Sequence, residues 1–263
     1  MGEKTEKSRV KGVIVMALVV VAVLAGILGC DTEKSWSRID AADRAARQSG
    51  GSSRKIEGVV KYARAKKEAS ASAYIKALLD NSYKNDSTGI VKQKIGTKEE
   101  AEALYESGLD AELAQLVEEA DMSEELQAEY RAVFANMFKK ADYTVGEAEE
   151  QEDNSYVVTV SYRQMKIFEP AFASYQKKLN TLSEEWLNMD ENEAPTEDEM
   201  YETIFTILKD CMKEALQDPE YANEASTSVR VELNSEKKYE SDEDELYGLE
   251  SLLFDIVAIQ GLE

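Results

Sequence analysis

Histidine is absent from this 263-residue chain, and cysteine and proline are scarce, at two and three residues. Without imidazole there is no general base of the commonest kind at neutral pH, no histidine-containing triad and no metal site that relies on that ligand. The two cysteines, Cys30 and Cys211, make no CxxC pair, and no GxSxG, GxGxxG or Walker loop is present, so dithiol redox, acyl-transfer and nucleotide chemistry lack a motif. Positive charge is also short: 31 Lys and Arg face 53 Asp and Glu, a net charge of -22. A body of that sign repels phosphates, which argues against nucleic acid as a partner. Hydrophobic residues still make up 43% of the chain, enough for a core. The length suits one or two domains.

The N-terminus carries the most specific signal. Lys4, Lys7, Arg9 and Lys11 lead into an uncharged run from Val13 to Leu28. A helix of that length spans about 24 Å, less than the roughly 30 Å hydrocarbon core, so a signal peptide fits better than a permanent span. The run ends in Ile27-Leu28-Gly29-Cys30. This resembles the lipobox of bacterial lipoproteins, and the resemblance implies diacylglycerol on the Cys30 thiol, cleavage before it, and a partner in membrane lipid. Ile27 matches the aliphatic position and Gly29 the small one, while Leu28 departs from the small or hydroxyl residue usual there. The alternative is an uncleaved signal anchor ending at Cys30. Both readings place the body on the extracytoplasmic face of the cell membrane, because the basic flank stays inside.

Charge is polarised along the rest of the chain. Residues 31–68 hold ten basic and six acidic side chains, net +4, and include the linker-like Ser49-Gly-Gly-Ser-Ser53. Residues 69–263 hold 17 basic and 45 acidic ones, net -28. The expected organisation is a lipoprotein signal peptide at 1–29, a basic flexible tether at 30–70 and a folded domain at 71–263. The tether either lies on anionic headgroups while the acidic body is repelled from them, or is an ordinary solvated linker.

The body reads as helices around a small sheet. Ile75, Leu78, Leu79 and Tyr83 share a helical face, and Thr97-Lys-Glu-Glu100 is a capping box for the next helix. Asp121-Met-Ser-Glu124 opens a further helix carrying Leu126, Tyr130, Val133, Phe134, Met137 and Phe138. Tyr143–Glu147 and Tyr156–Tyr162 flank a polar turn and predict a β-hairpin, with both faces of its second strand at least partly covered. Pro170 suits a helix start, Thr196-Glu-Asp-Glu199 caps another helix, and Asp218-Pro219 breaks it. Thr227, Val229, Val231 and Leu233 alternate as a third strand. A last helix from about Asp242 gathers Leu246, Leu249, Leu252, Leu253, Ile256 and Val257. The predicted class is α+β, a small antiparallel sheet (a hairpin plus a later strand) packed by about six helices.

Three segments, Ala73-Tyr-Ile-Lys-Ala-Leu-Leu-Asp-Asn-Ser-Tyr-Lys-Asn-Asp86, Thr97-Lys-Glu-Glu-Ala-Glu-Ala-Leu-Tyr-Glu-Ser-Gly-Leu-Asp110 and Tyr143-Thr-Val-Gly-Glu-Ala148, resemble a group of uncharacterised lipoproteins of Gram-positive bacteria with a domain of unknown function. More loosely, helices over a hairpin-rich sheet resemble NTF2-like or cystatin-like domains, though the helical pair at 170–217 departs from their order. Neither resemblance supplies a catalytic residue.

The remaining candidates have plain structural readings. The acidic clusters Asp190–Glu193 with Glu197–Glu199, and Glu240–Glu245, put Pro195 and Tyr247 where a calcium loop requires glycine, and their acids suit helix N-termini. Cys211 falls in phase with Ile204, Leu208 and Ala215, as a buried structural thiol would. Tyr156 and Tyr162 fit a core better than a ligand pocket. The expected function is a non-catalytic binding or interaction module on the bacterial cell surface, with no cofactor or metal and a surface protein or ligand as its partner. The alternative is a small extracytoplasmic enzyme using carboxylates, recognisable by converging acids or a tyrosine–acid pair.

Overall fold

The computed structural model describes residues 63–64, 71–119, 122–190, 193–235, 238–241 and 243–255. The expected signal peptide at 1–29, with its lipobox-like residues, and Cys30 lie outside them. The described elements run β1 (Ala63–Arg64), α1 (Ala71–Lys84), α2 (Thr88–Lys92), α3 (Lys98–Glu119), α4 (Glu124–Lys139), β2 (Asp142–Glu150), β3 (Tyr156–Arg163), β4 (Met165–Lys166), α5 (Phe168–Leu187), α6 (Glu197–Ala215), β5 (Glu220–Tyr221), β6 (Ala225–Leu233), β7 (Lys238–Ser241) and α7 (Glu243–Leu253). This is the α+β class read from the sequence.

Helix starts follow local chemistry. The Thr97 hydroxyl accepts from Glu100 N–H at 3.2 Å while the Glu100 carboxylate accepts from Thr97 N–H at 2.8 Å, and Thr196 and Glu199 repeat the pattern ahead of α6. At α4 the cap is Ser123, whose hydroxyl accepts from Leu126 N–H at 3.2 Å. Pro170 sits in the first turn of α5, where its missing N–H costs no helical bond.

Strands β1-β7-β6-β3-β2 form one antiparallel sheet, and β4 pairs β5 beside it. Alternation makes one face apolar: Val158, Val160, Val229 and Val231 are fully buried there. Helix α1 packs across this face, touching β2, β3 and β7, with α3 and α4 against α1, α6 on α4, and α5 on α6. The opposite face is partly covered on β3, where Val157 and Ser161 are half-buried and Thr159 is exposed, and wetter on β6, where Ser226 and Ser228 are exposed.

Two glycines permit close approaches. A Cβ at Gly89 would stand 2.8 Å from Ala77 Cβ, which lets α2 lie directly on α1. Gly146 sits in a register break between Val145 and Ala148, a bulge that bends β2 at the sheet edge.

The last helix is shorter than its apolar pattern implies, ending at Leu253. Phe254 then bridges Met165 in parallel, and Asp255 N–H donates to Met165 carbonyl at 3.1 Å. Phe254 is fully buried against Phe138 and Tyr83, with ring centroids at 5.8 and 6.1 Å. Ile256 and Val257 fall outside the described residues.

Candidate functional site

The most elaborate polar arrangement on the open sheet face gathers at Arg230. The β2–β3 turn closes with Gln151 N–H on Ser155 carbonyl at 2.8 Å and Asn154 in the left-handed region at φ 63°. This aims Asp153, which accepts from the Ser155 hydroxyl at 2.6 Å and from Arg230 Nη2 at 2.5 Å. Arg230 Nε donates to Glu232 at 2.8 Å, and its backbone N–H donates to the Glu245 carboxylate at 2.5 Å. Arg230, Glu232, Glu240 and Ser241 line an adjoining half-open groove of about 270 Å³.

The electrostatics of this cluster suit contact rather than proton transfer. Hydrogen bonds from Ser155 and then Arg230 hold the Asp153 carboxyl down to about 2, so it has no proton to give at neutral pH. The Arg230 guanidinium, bonded to Glu232 and Asp153, is pushed further up from an already high value.

A tyrosine–acid pair lies at the other end of the sheet. Tyr143 hydroxyl donates to Asp80 at 2.9 Å, and burial, followed by the Asp80 charge, drives the phenol far above its ordinary pKa. A phenol held this firmly neutral is a poor base. Lys84 stands 5.3 Å over the Tyr143 ring and donates to the carbonyls of Lys139 and Ala141, capping the negative end of α4. Tyr221 hydroxyl donates to the Lys140 carbonyl at 2.8 Å. The cluster therefore joins α1, α4 and β5 and has an architectural role.

The other sequence candidates separate. Cys211 is a free thiol buried to 1% exposure in α6. Glu197, Asp198 and Glu199 occupy the first turn of α6. The second acidic cluster is split, with Glu240 on β7 and Glu243 opening α7. Among the described residues no three Asp, Glu or Cys side chains come together as a metal ion would require. Tyr156 packs edge-on against Tyr239 at 5.8 Å, and Tyr162 lies half-buried against the core. Cys30, Ile27, Leu28 and Gly29 fall outside the described residues. Sequence reasoning did not find the Arg230 cluster, in which a turn residue and a strand residue 77 positions apart meet and a helix joins them.

The architecture defines a class: an antiparallel sheet with helices layered on one face and a helical hairpin stacked beyond them. No family model and no curated protein matches the sequence. Among solved structures the chain is similar to a "putative lipoprotein (ycdA)" from Bacillus subtilis, with a TM-score of 0.50 and 9% identity over 70% of this chain and 56% of that one. The chain thus spans little more than half the length of that protein, and the likeness is one of fold. No helix among the described residues is long and apolar enough to cross a membrane.

Proposed function

We propose that this protein is a lipid-anchored extracytoplasmic lipoprotein whose folded domain acts as a non-catalytic binding module on the bacterial cell surface. The observation that carries the reading is the basic flank and apolar run ending in Ile27-Leu28-Gly29-Cys30. A fold similar to that of a "putative lipoprotein" supports it, as does the resemblance to Gram-positive lipoproteins. Acylation of Cys30 with more than one chain would give stable attachment. The binding half of the reading rests on the open, polar sheet face and on Asp153 and Arg230, both held in their charged forms.

Replacing Cys30 with serine tests the anchor: lipid labelling and leader cleavage are expected to vanish, and unchanged labelling would overturn it. Crosslinking on intact cells tests the binding module. A partner recovered with the wild-type chain and lost on Arg230→Ala is the expected result. Steady turnover of an ester, glycan or peptide substrate by the purified chain would replace the binding reading with an enzymatic one.

A further inference from the structure

Helix α2 and the turn after it differ in charge from the acidic body around them. Residues 87–98 hold three lysines, Lys92, Lys94 and Lys98, and no acid. Lys92 and Lys94 are exposed and make no ion pair among the described residues. Lys98, paired with Glu102 at 3.3 Å, keeps 65% of its side chain in solvent. Beside them Val91, at 47% exposure, is the most exposed large apolar side chain among the described residues.

The turn that carries these groups is firmly held. Lys94 N–H donates to the Val91 carbonyl at 3.1 Å and Ile95 N–H to the Ile90 carbonyl at 3.0 Å, the paired bonds of a Schellman turn. Ile90 and Ile95 are buried on either side of it, and the approach of Gly89 to Ala77 seats it on α1. Such a turn needs one left-handed residue, and here that residue is Lys94, at φ 58°. Glycine is the ordinary occupant, because a side chain there crowds the next carbonyl. The other non-glycine residues with positive φ among the described ones are Asn85 and Asn154, a type that tolerates it. A cation thus stands where local structure alone favours glycine.

We propose that the corner formed by Val91, Lys92, Lys94 and Lys98 is the surface on which the domain rests against an anionic membrane. This rests on the reading that the chain is held at a membrane. Charge complementarity chooses the occupant, since each lysine close to an anionic surface strengthens binding about fivefold. The aliphatic Val91 among the lysines fits a surface with hydrocarbon behind its charged layer, whereas an acidic protein would match the lysines alone. The acids that flank the corner, Asp86, Glu99, Glu100 and Glu102, limit how closely it seats. Screening confines attraction and repulsion alike to about 10 Å, so acids elsewhere on the body do not lift the corner off. Helix α2 packs on α1, which itself covers the apolar face of the sheet. Docking through α2 therefore leaves the open face, with Arg230, clear of the bilayer.

Lysine acetylation of the unaltered full chain on vesicles, read by mass spectrometry, tests the corner. On phosphatidylglycerol-rich vesicles Lys92 and Lys94 are expected to react at least about fivefold slower than on phosphatidylcholine vesicles. The exposed Lys177 on α5 is expected to react equally on both. Unchanged rates at Lys92 and Lys94, or equal slowing at Lys177, overturn the proposal. Slowing on intact cells without slowing on anionic vesicles overturns it in favour of an acidic surface protein. Flotation of the same samples reads attachment separately. A chain that does not float with the vesicles overturns attachment and docking together, and one that floats with Lys92 and Lys94 fully reactive overturns docking alone. The variant Lys92→Gln with Lys94→Gly keeps the left-handed turn, so the corner stays folded. It is expected to lose at least about fivefold of the protection of Lys98 on anionic vesicles, and undiminished protection there overturns the docking.

Discussion

Asp255 accepts the backbone N–H of Phe168 at 2.9 Å, with the same oxygen taking Ile167 N–H at 2.9 Å and the other taking Glu169 N–H at 3.2 Å. One carboxylate from the far end of the domain thus caps the start of α5, in place of a side chain at the N-cap position, Ile167. Asp255→Ala is expected to destabilise the domain by about 2 kcal/mol, and Asp255→Asn by less, since an amide oxygen still accepts. Urea denaturation measures both; an unchanged midpoint for the alanine variant would show that the α5 start is satisfied without this carboxylate.

Alkaline pH should loosen the fold. Burial raises the phenols of Tyr130, Tyr143 and Tyr175. Above about pH 10 the unfolded chain releases those protons while the folded chain keeps them, so stability falls as pH rises. Burial lowers Lys84, which works in the opposite direction because the unfolded chain then holds the extra proton. One lysine against three tyrosines leaves a net loss. Urea midpoints from pH 8 to pH 11 should fall for the wild type and fall less steeply for Tyr143→Phe.

Acid acts through Asp153. Its folded pKa of about 2, below the ordinary 3.8, means that its stabilising contribution is complete above 3.8 and is lost as pH drops toward 2. Arg230→Ala removes one of its partners and should shift Asp153 upward, seen as a higher midpoint in a carboxyl NMR titration. An unshifted midpoint would assign the whole depression to Ser155.

Contact between α1 and α2 makes a steric prediction. Gly89→Ala places a methyl 2.8 Å from Ala77 Cβ and should cost about 1–3 kcal/mol. Adding Ala77→Gly removes only the Cβ contact and leaves the Ala77 Cα at 2.9 Å, so the double variant should regain little of the loss. Urea denaturation of both variants checks this, and full recovery in the double variant would place the whole cost on the Cβ contact.

Much of this fold was legible because its signals are local. Thr97 with Glu100 and Thr196 with Glu199 announce helix starts within four residues, and the valines of β3 and β6 alternate over enough positions to declare a face. Strand β7 was invisible: four residues, Lys238–Ser241, carry too little period to outweigh the acids that follow. Helix α7 was overextended because Phe254 continues the apolar pattern while its backbone leaves the helix to meet Met165, a partner 89 positions away. The Arg230 cluster was hidden for the same reason, since Asp153, Glu232 and Glu245 converge only after three strands and a helix have packed.

The bulged strand β2 has a bearing on how copies of this protein behave in a crowd. Among the described residues it ends the sheet, and an edge strand is a template on which another chain can pair. Asp142, Glu147, Glu149 and Glu150 lie along it with no basic residue among them, and the kink at Gly146 spoils its straightness. Two such edges brought together repel and fit poorly, which keeps neighbouring copies from zipping into a shared sheet at neutral pH. Neutralising the acids would remove the first of those two barriers and leave only the kink.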